Sequence, residues 1–171
     1  MGIIFLAERE FARFAPSSPL IKRHCPARTH TGAVMIKIAL IGSTGSIGRQ
    51  AIEVALARPD MFRIVALAAN SSYKLFSRQL AQVRPDYAAL ANEEAAKKTE
   101  VPKNTRFCAG EEEALRAAEF GEADVVLVAA SGFAGLKYSL AALRAGKTLA
   151  LANKETLVCG GDIVMPLASR T

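Results

Sequence analysis

From Met35 onward the chain alternates short apolar runs, rich in Val, Ile, Leu and Ala, with stretches of helical periodicity bounded by Gly, Pro and Asn. The pattern predicts strands over Ile36–Ile41, Arg63–Ala68, Tyr87–Leu90, Thr105–Cys108, Asp124–Ala129 and Thr148–Leu151. Between them it predicts helices over Ser46–Ala57, Tyr73–Val83, Glu93–Lys98, Glu111–Ala118 and Ala134–Arg144. Pro59 and Pro85 stop the first two helices, and Gly146 supplies the left-handed terminator of the last. Runs fit for burial on both faces, with helices between them, indicate a doubly wound α/β fold built on a parallel sheet.

Directly after the first strand comes Gly42-Ser43-Thr44-Gly45-Ser46-Ile47-Gly48, which leads straight into a helix. A glycine motif alone is weak, but one lying between strand and helix at the start of a βαβ unit points to dinucleotide binding and a Rossmann-like domain. Gly42 lets the chain leave the strand in a tight turn. Gly45 lets backbone approach a pyrophosphate with no Cβ in the way, and Gly48 lets helix and sheet pack closely. The amides of Thr44, Gly45, Ser46 and Ile47 then face the phosphates at a helix N-terminus, where partial positive charge and free N–H donors coincide. Ser43, Thr44 and Ser46 are expected to add hydroxyl donors. A tight turn that merely permits close packing is the plain alternative.

The end of the second strand reads Ala69-Asn70-Ser71-Ser72, where an NAD-preferring site would place Asp or Glu for the ribose hydroxyls. Asn70, Ser71 and Ser72, with Lys74 and Arg78 nearby, present donors and no carboxylate to repel a 2′-phosphate, which favours NADP. The plain alternative is a polar turn with a helix cap. The last strand ends in a second polar cluster, Asn153-Lys154-Glu155, at an edge that faces the ligand crevice of such a sheet. Asn153 can donate and accept near the nicotinamide, Lys154 offers positive charge to an anionic or oxygen-rich substrate, and Glu155 can orient either neighbour or bond the cofactor. The same triplet also suits the cap and first turn of a following helix.

Composition narrows the classes. Among 171 residues, 51% are hydrophobic, ample for one core, so wholesale disorder is excluded. The formal charge of +6 is spread among acids, not gathered in a stripe, and aromatic residues are few, which argues against nucleic acid. Cys25, Cys108 and Cys159 lack the spacing of a zinc or redox motif. No apolar run reaches the roughly 20 residues of a membrane-spanning helix, so a soluble, cytoplasmic protein with no membrane partner is expected. Residues 1–34 differ from the rest: they hold Pro16, Pro19, Pro26 and both histidines, and no strand or long helix reads cleanly across them. They fit neither a secretory signal nor a transit peptide. They are expected to be a poorly structured extension, or an artefact of gene start if translation begins at Met35. Residues 35–171 form the expected domain.

Ile38–Gly48 (IALIGSTGSIG) and Ala145–Val158 (AGKTLALANKETLV) resemble the two signature segments of the 1-deoxy-D-xylulose 5-phosphate reductoisomerases. Phe62–Ala68, Arg84–Tyr87 and Ser131–Leu136 match in order and spacing, so the resemblance runs from Met35 nearly to the end. It implies an NADPH-dependent enzyme of non-mevalonate isoprenoid biosynthesis that rearranges 1-deoxy-D-xylulose 5-phosphate and reduces it to 2-C-methyl-D-erythritol 4-phosphate. It implies that Thr44, Gly45, Ser46 and Ile47 hold cofactor phosphate, that Asn70, Ser71 and Ser72 hold the adenosine phosphate region, and that Asn153 and Glu155 hold more of NADPH. Lys154 would contact substrate. Asn70 and Ser71 depart from the glycine and basic residue of many relatives.

The resemblance further implies a homodimer and a divalent cation, Mg²⁺ or Mn²⁺, in the full-length family. Its carboxylate ligands, the substrate-phosphate site and a lid lie downstream of the ANKE segment. Glu111, Glu112 and Glu113 read instead as a solvated helix start, because consecutive helix positions do not face one ligand. Cofactor binding without turnover is therefore expected, no catalytic residue is assigned, and a non-catalytic nucleotide-binding module stays open as the alternative. A short-chain dehydrogenase is disfavoured, since Tyr73, Tyr87 and Tyr138 all lack a lysine four residues on.

Overall fold

The computed structural model describes residues 3–5, 35–132, 134–152 and 155–170. Its centre is a parallel sheet of β1 (Ile3–Phe5), β2 (Ile36–Ile41), β3 (Phe62–Ala69), β4 (Tyr87–Leu90), β5 (Arg106–Ala109), β6 (Val125–Val128) and β7 (Thr148–Leu151). In space the strands run β1-β7-β6-β2-β3-β4-β5. The order therefore reverses direction at β2, which pairs β3 on one side and β6 on the other. In open α/β sheets ligands bind outside the carboxyl ends of the strands at such a reversal.

Alternate residues of each strand serve the two faces, as a pleated sheet requires. Leu40, Ile64, Leu67, Leu90 and Leu127 face α1 (Ser46–Ala57), α2 (Tyr73–Val83) and the short α3 (Glu93–Ala96), which bring Ile52, Phe76 and Leu80 into that core. Ile41, Ala66, Val126, Val128, Leu149 and Leu151 face the opposite layer, α4 (Glu111–Arg116), a 3₁₀ turn (Ala117–Glu119), α5 (Ala134–Arg144) and α6 (Glu155–Arg170). A bulge interrupts the alternation: Ile38 pairs with Ile64 but Ala39 pairs with Ala66, so Val65 is the extra residue.

The expected strands and helices from Met35 onward are all present, with ends moved by a residue or two. The strand over Arg63–Ala68 extends to Phe62 and Ala69 because both are buried too. The helix begun at Glu111 tightens into its 3₁₀ turn after Arg116. Gly146 terminates α5 with φ 70°. One departure is larger. Ile3–Phe5, within the stretch where no strand was legible, pairs in parallel with Leu149–Leu151 and forms the sheet edge. Three apolar residues carry too little periodicity to be read as a strand, and the edge of β7 supplies the partner that selects it.

Candidate functional site

The glycine loop leaves β2 at the point where the strand order reverses. Gly42 has φ 83°, and its amide and that of Ser43 both donate to the Ala68 carbonyl at the end of β3, at 2.8 and 3.1 Å. A Cβ on Gly42 would lie 2.6 Å from the Ala130 amide nitrogen, so the loop also presses on the carboxyl end of β6. The Gly45 amide donates back to the Gly42 carbonyl at 3.1 Å, closing the turn, and Arg49 donates to Gly45 at 3.0 Å as α1 begins.

The three glycines do different work. A Cβ on Gly48 would fall 2.3 Å from the Gly42 carbonyl oxygen, which no relaxation of a side chain could relieve. Gly45, exposed, would bring its nearest neighbour no closer than 3.4 Å. The protein itself therefore tolerates a side chain at Gly45, and the space a Cβ would fill is left to whatever approaches from outside. Gly45 is also the N-cap of α1; no side chain of the described residues caps that helix, and its first turn holds no acid. Among the described residues, the amides of Thr44, Ser46 and Ile47 have no hydrogen-bond acceptor. By contrast Asn92 Oδ1 caps α3 through the Ala95 amide at 2.8 Å, and α4 opens on three glutamates. The bare start of α1 fits an anion such as a pyrophosphate.

Ser43 corrects one expectation. It is wholly buried, and its hydroxyl donates inward to Gln79 Oε1 at 2.8 Å, so it is no donor to a ligand. Gln79, from α2, returns a hydrogen bond from Nε2 to the Ser43 carbonyl at 2.8 Å. Sequence reasoning passed over Gln79. Its signal was a polar residue in the buried stripe of α2, with Phe76 and Leu80 at three residues before and one after.

Asn70, Ser71 and Ser72 lie exposed just past the end of β3, two residues beyond the carbonyl that holds the loop. Their backbone is tied down: Asn92 donates to the Asn70 carbonyl at 3.0 Å and Tyr73 to that of Ser71 at 2.8 Å. Ser72 occupies the N-cap position of α2 but its hydroxyl makes no capping bond, so the polar turn forms while its cap does not. Lys74 and Arg78 are exposed on the same helix. At the other side of the reversal, the Ala152 amide donates to the Val128 carbonyl at 3.1 Å and sets the exit of β7 beside that of β6. Asn153 and Lys154 lie outside the described residues, as does the side chain of Glu155, which opens α6.

Among the described residues no group of three His, Cys, Asp or Glu could hold a metal ion. Two of the three glutamates that open α4 are otherwise engaged: Glu111 pairs with Lys137, and Glu113 with Arg116 and the Tyr87 hydroxyl. No helix among these residues is long and apolar enough to cross a membrane.

The model of one protein family, 1-deoxy-D-xylulose 5-phosphate reductoisomerase, matches residues 38–161. The chain belongs to that family. Reductoisomerases from Thermomicrobium roseum and a Nostoc species are 46% identical over 134 residues and 43% identical over 143 residues, covering 78% and 80% of this chain. The same matches cover 34% and 36% of those relatives, so the chain spans about a third of their length. Among solved structures, the reductoisomerase of Zymomonas mobilis in complex with NADPH superimposes with TM-score 0.70 at 31% identity, over 80% of this chain and 37% of that one. A DOX-P reductoisomerase in complex with NADPH, fosmidomycin and magnesium gives TM-score 0.72 at 29% identity, over 80% and 34%. The doubly wound parallel sheet is thus the fold of this part of the reductoisomerases.

Proposed function

We propose that this chain is the NADPH-binding portion of a reductoisomerase that converts 1-deoxy-D-xylulose 5-phosphate to 2-C-methyl-D-erythritol 4-phosphate. The observation that carries the reading is the uncapped start of α1 at the strand-order reversal, with the outer side of Gly45 open. The amides of Thr44, Ser46 and Ile47 bind the pyrophosphate, and Gly45 lets it approach. Asn70, Ser71 and Ser72 take the adenosine 2′-phosphate, with Lys74 and Arg78 adding positive potential. The missing carboxylate at this position and the NADPH held by the structural relatives support NADP over NAD. Asn153 and Glu155, following β7, hold more of the cofactor, and Lys154 contacts the phosphosugar.

NADPH supplies the hydride when bound. The part of the family represented here orients it at the carboxyl ends of the strands, and the described residues do not fit a divalent cation. The family's cation, Mg²⁺ or Mn²⁺, and the substrate phosphate are held outside the third of the family's length that this chain spans, and the assembly is a cytoplasmic homodimer. A non-catalytic nucleotide-binding module is the alternative reading of these residues.

Fluorescence titration with NADPH and NADH tests the reading, with Gly45→Asp as control. Preferential NADPH binding that the substitution abolishes is the expected result. Equal failure of both nucleotides to bind the folded wild-type chain would overturn it.

A further inference from the structure

Of three buried polar side chains among the described residues, two face each other: Ser43, fully buried in the glycine loop, and Gln79, 3% exposed on α2. Their pairing is reciprocal. Ser43 Oγ donates to Gln79 Oε1 and Gln79 Nε2 donates to the Ser43 carbonyl, both at 2.8 Å, across 36 residues of sequence. The Ser43 amide is spent on Ala68. All three polar groups of Ser43 are thereby fixed from inside the protein.

An apolar pair of the same shape would serve packing about as well, since buried hydrogen bonds add little net stability over apolar replacement of both partners. What the pair adds is direction. The Ser43 carbonyl and the Thr44 N–H belong to one planar trans peptide and point opposite ways. A Gln79 amide that holds the carbonyl toward α2 therefore holds the Thr44 N–H away from it, on the side where that amide finds no acceptor among the described residues. We propose that Gln79 is a positioning residue for nucleotide binding: by clamping the Ser43 carbonyl it aims the Thr44 amide at the cofactor pyrophosphate. The inference rests on the NADPH reading above. It also links the two halves of that site, because α2 starts directly after Asn70, Ser71 and Ser72.

The test compares wild type, Gln79→Met and Ser139→Ala in the full chain. Met keeps the length of the side chain and removes both hydrogen bonds. Ser139, the third buried polar side chain, bonds the Gly135 carbonyl within α5 and reports the cost of losing a buried hydrogen bond far from the loop. Calorimetric titration with NADPH is run well below the melting temperature of each variant, and the Thr44 amide is followed by ¹⁵N NMR. Gln79→Met is expected to bind roughly tenfold more weakly, the loss of about one hydrogen bond to a charged oxygen, and to lose the NADPH-induced shift of the Thr44 amide. Ser139→Ala is expected to melt lower and bind like wild type. Wild-type affinity in folded Gln79→Met overturns the inference alone; a wild-type chain that binds no NADPH overturns the cofactor reading with it. If Gln79→Met does not fold, the wild-type spectrum decides: a Thr44 amide that NADPH leaves unshifted overturns the proposal, and a large shift supports it.

Discussion

The α-carbon of Gly48 is packed so tightly under the Gly42 carbonyl that a methyl group there would lie 2.3 Å from the oxygen, with the Ser43 α-carbon at 2.6 Å. Both obstacles are backbone, so they cannot rotate away. Gly48→Ala is expected to destabilise the domain by about 2–4 kcal/mol, the clash outweighing the roughly 1 kcal/mol that alanine gains over glycine inside a helix. Urea unfolding checks this, and a variant as stable as wild type would show the approach to be looser than described.

Gly45 should respond in the opposite way. Its φ of −72° suits any residue and its nearest neighbour stands 3.4 Å from a built Cβ. Gly45→Ala is expected to change stability by less than about 0.5 kcal/mol, within the range of ordinary surface changes, while weakening NADPH binding at least tenfold. Thermal melts and a cofactor titration on one preparation separate the two effects. Weak binding accompanied by an equal loss of folded protein would remove the argument that this glycine serves the ligand.

Tyr87 ties β4 to α4. Its hydroxyl lies 2.9 Å from both the Glu113 carbonyl and Glu113 Oε2, and its ring stacks on Phe120 at 5.6 Å. Burial first, then the hydrogen bond to Glu113, pushes the phenol above its ordinary value near 10. The folded state therefore holds the proton more tightly than the unfolded state. Its contribution is complete below about pH 10 and is lost as pH rises toward the folded value. Stability of wild type should fall on the alkaline side, and Tyr87→Phe, less stable at neutral pH, should fall less steeply. Tyr138, also raised by burial, sustains the remaining slope. Parallel alkaline slopes in the two proteins would rule out Tyr87 as the source.

What the sequence disclosed and what it concealed divide along physical lines. Local pattern was enough for the strands and helices after Met35 and for the glycine loop, because each is specified by contiguous residues: an apolar run, a terminator, a turn before a helix. Ser43 was misread for the same reason. A serine in a glycine loop that opens a helix reads as a ligand donor until a glutamine 36 residues away is known to consume its hydroxyl. The bulge at Val65 and the edge strand Ile3–Phe5 are likewise products of pairing with distant chain, which no local periodicity announces.

Gly160 lies where α6 departs from helical geometry, at φ −142° and ψ 15°, and packs against Leu136 of α5. An added Cβ would meet Leu136 Cδ1 at 2.5 Å and Cδ2 at 2.9 Å. These are side-chain tips, but Leu136 is itself buried and has little room to turn. Gly160→Ala is expected to cost about 1–3 kcal/mol. Because the conflict is with one side chain, Leu136→Ala combined with Gly160→Ala should cost less than the sum of the single changes. Strictly additive losses in a double-mutant cycle would place the strain elsewhere.

The pairing of Ile3, Ile4 and Phe5 with Leu149, Ala150 and Leu151 gives the extreme N-terminus a role at the sheet edge. Each backbone hydrogen bond contributes about 1 kcal/mol net, and ordering each residue of β1 costs about as much or more. Global stability should therefore change by no more than about 1 kcal/mol when residues 1–5 are removed. Local protection should not survive: in a chain starting at Leu6, amides of Leu149–Leu151 that faced β1 become open to solvent and exchange faster. An uncovered edge strand also invites pairing with another chain, so the shortened protein should associate more readily at high concentration. Hydrogen exchange and sedimentation of the two chains measure both effects. Unchanged exchange at β7 would mean that Ile3–Phe5 does not hold the edge in solution.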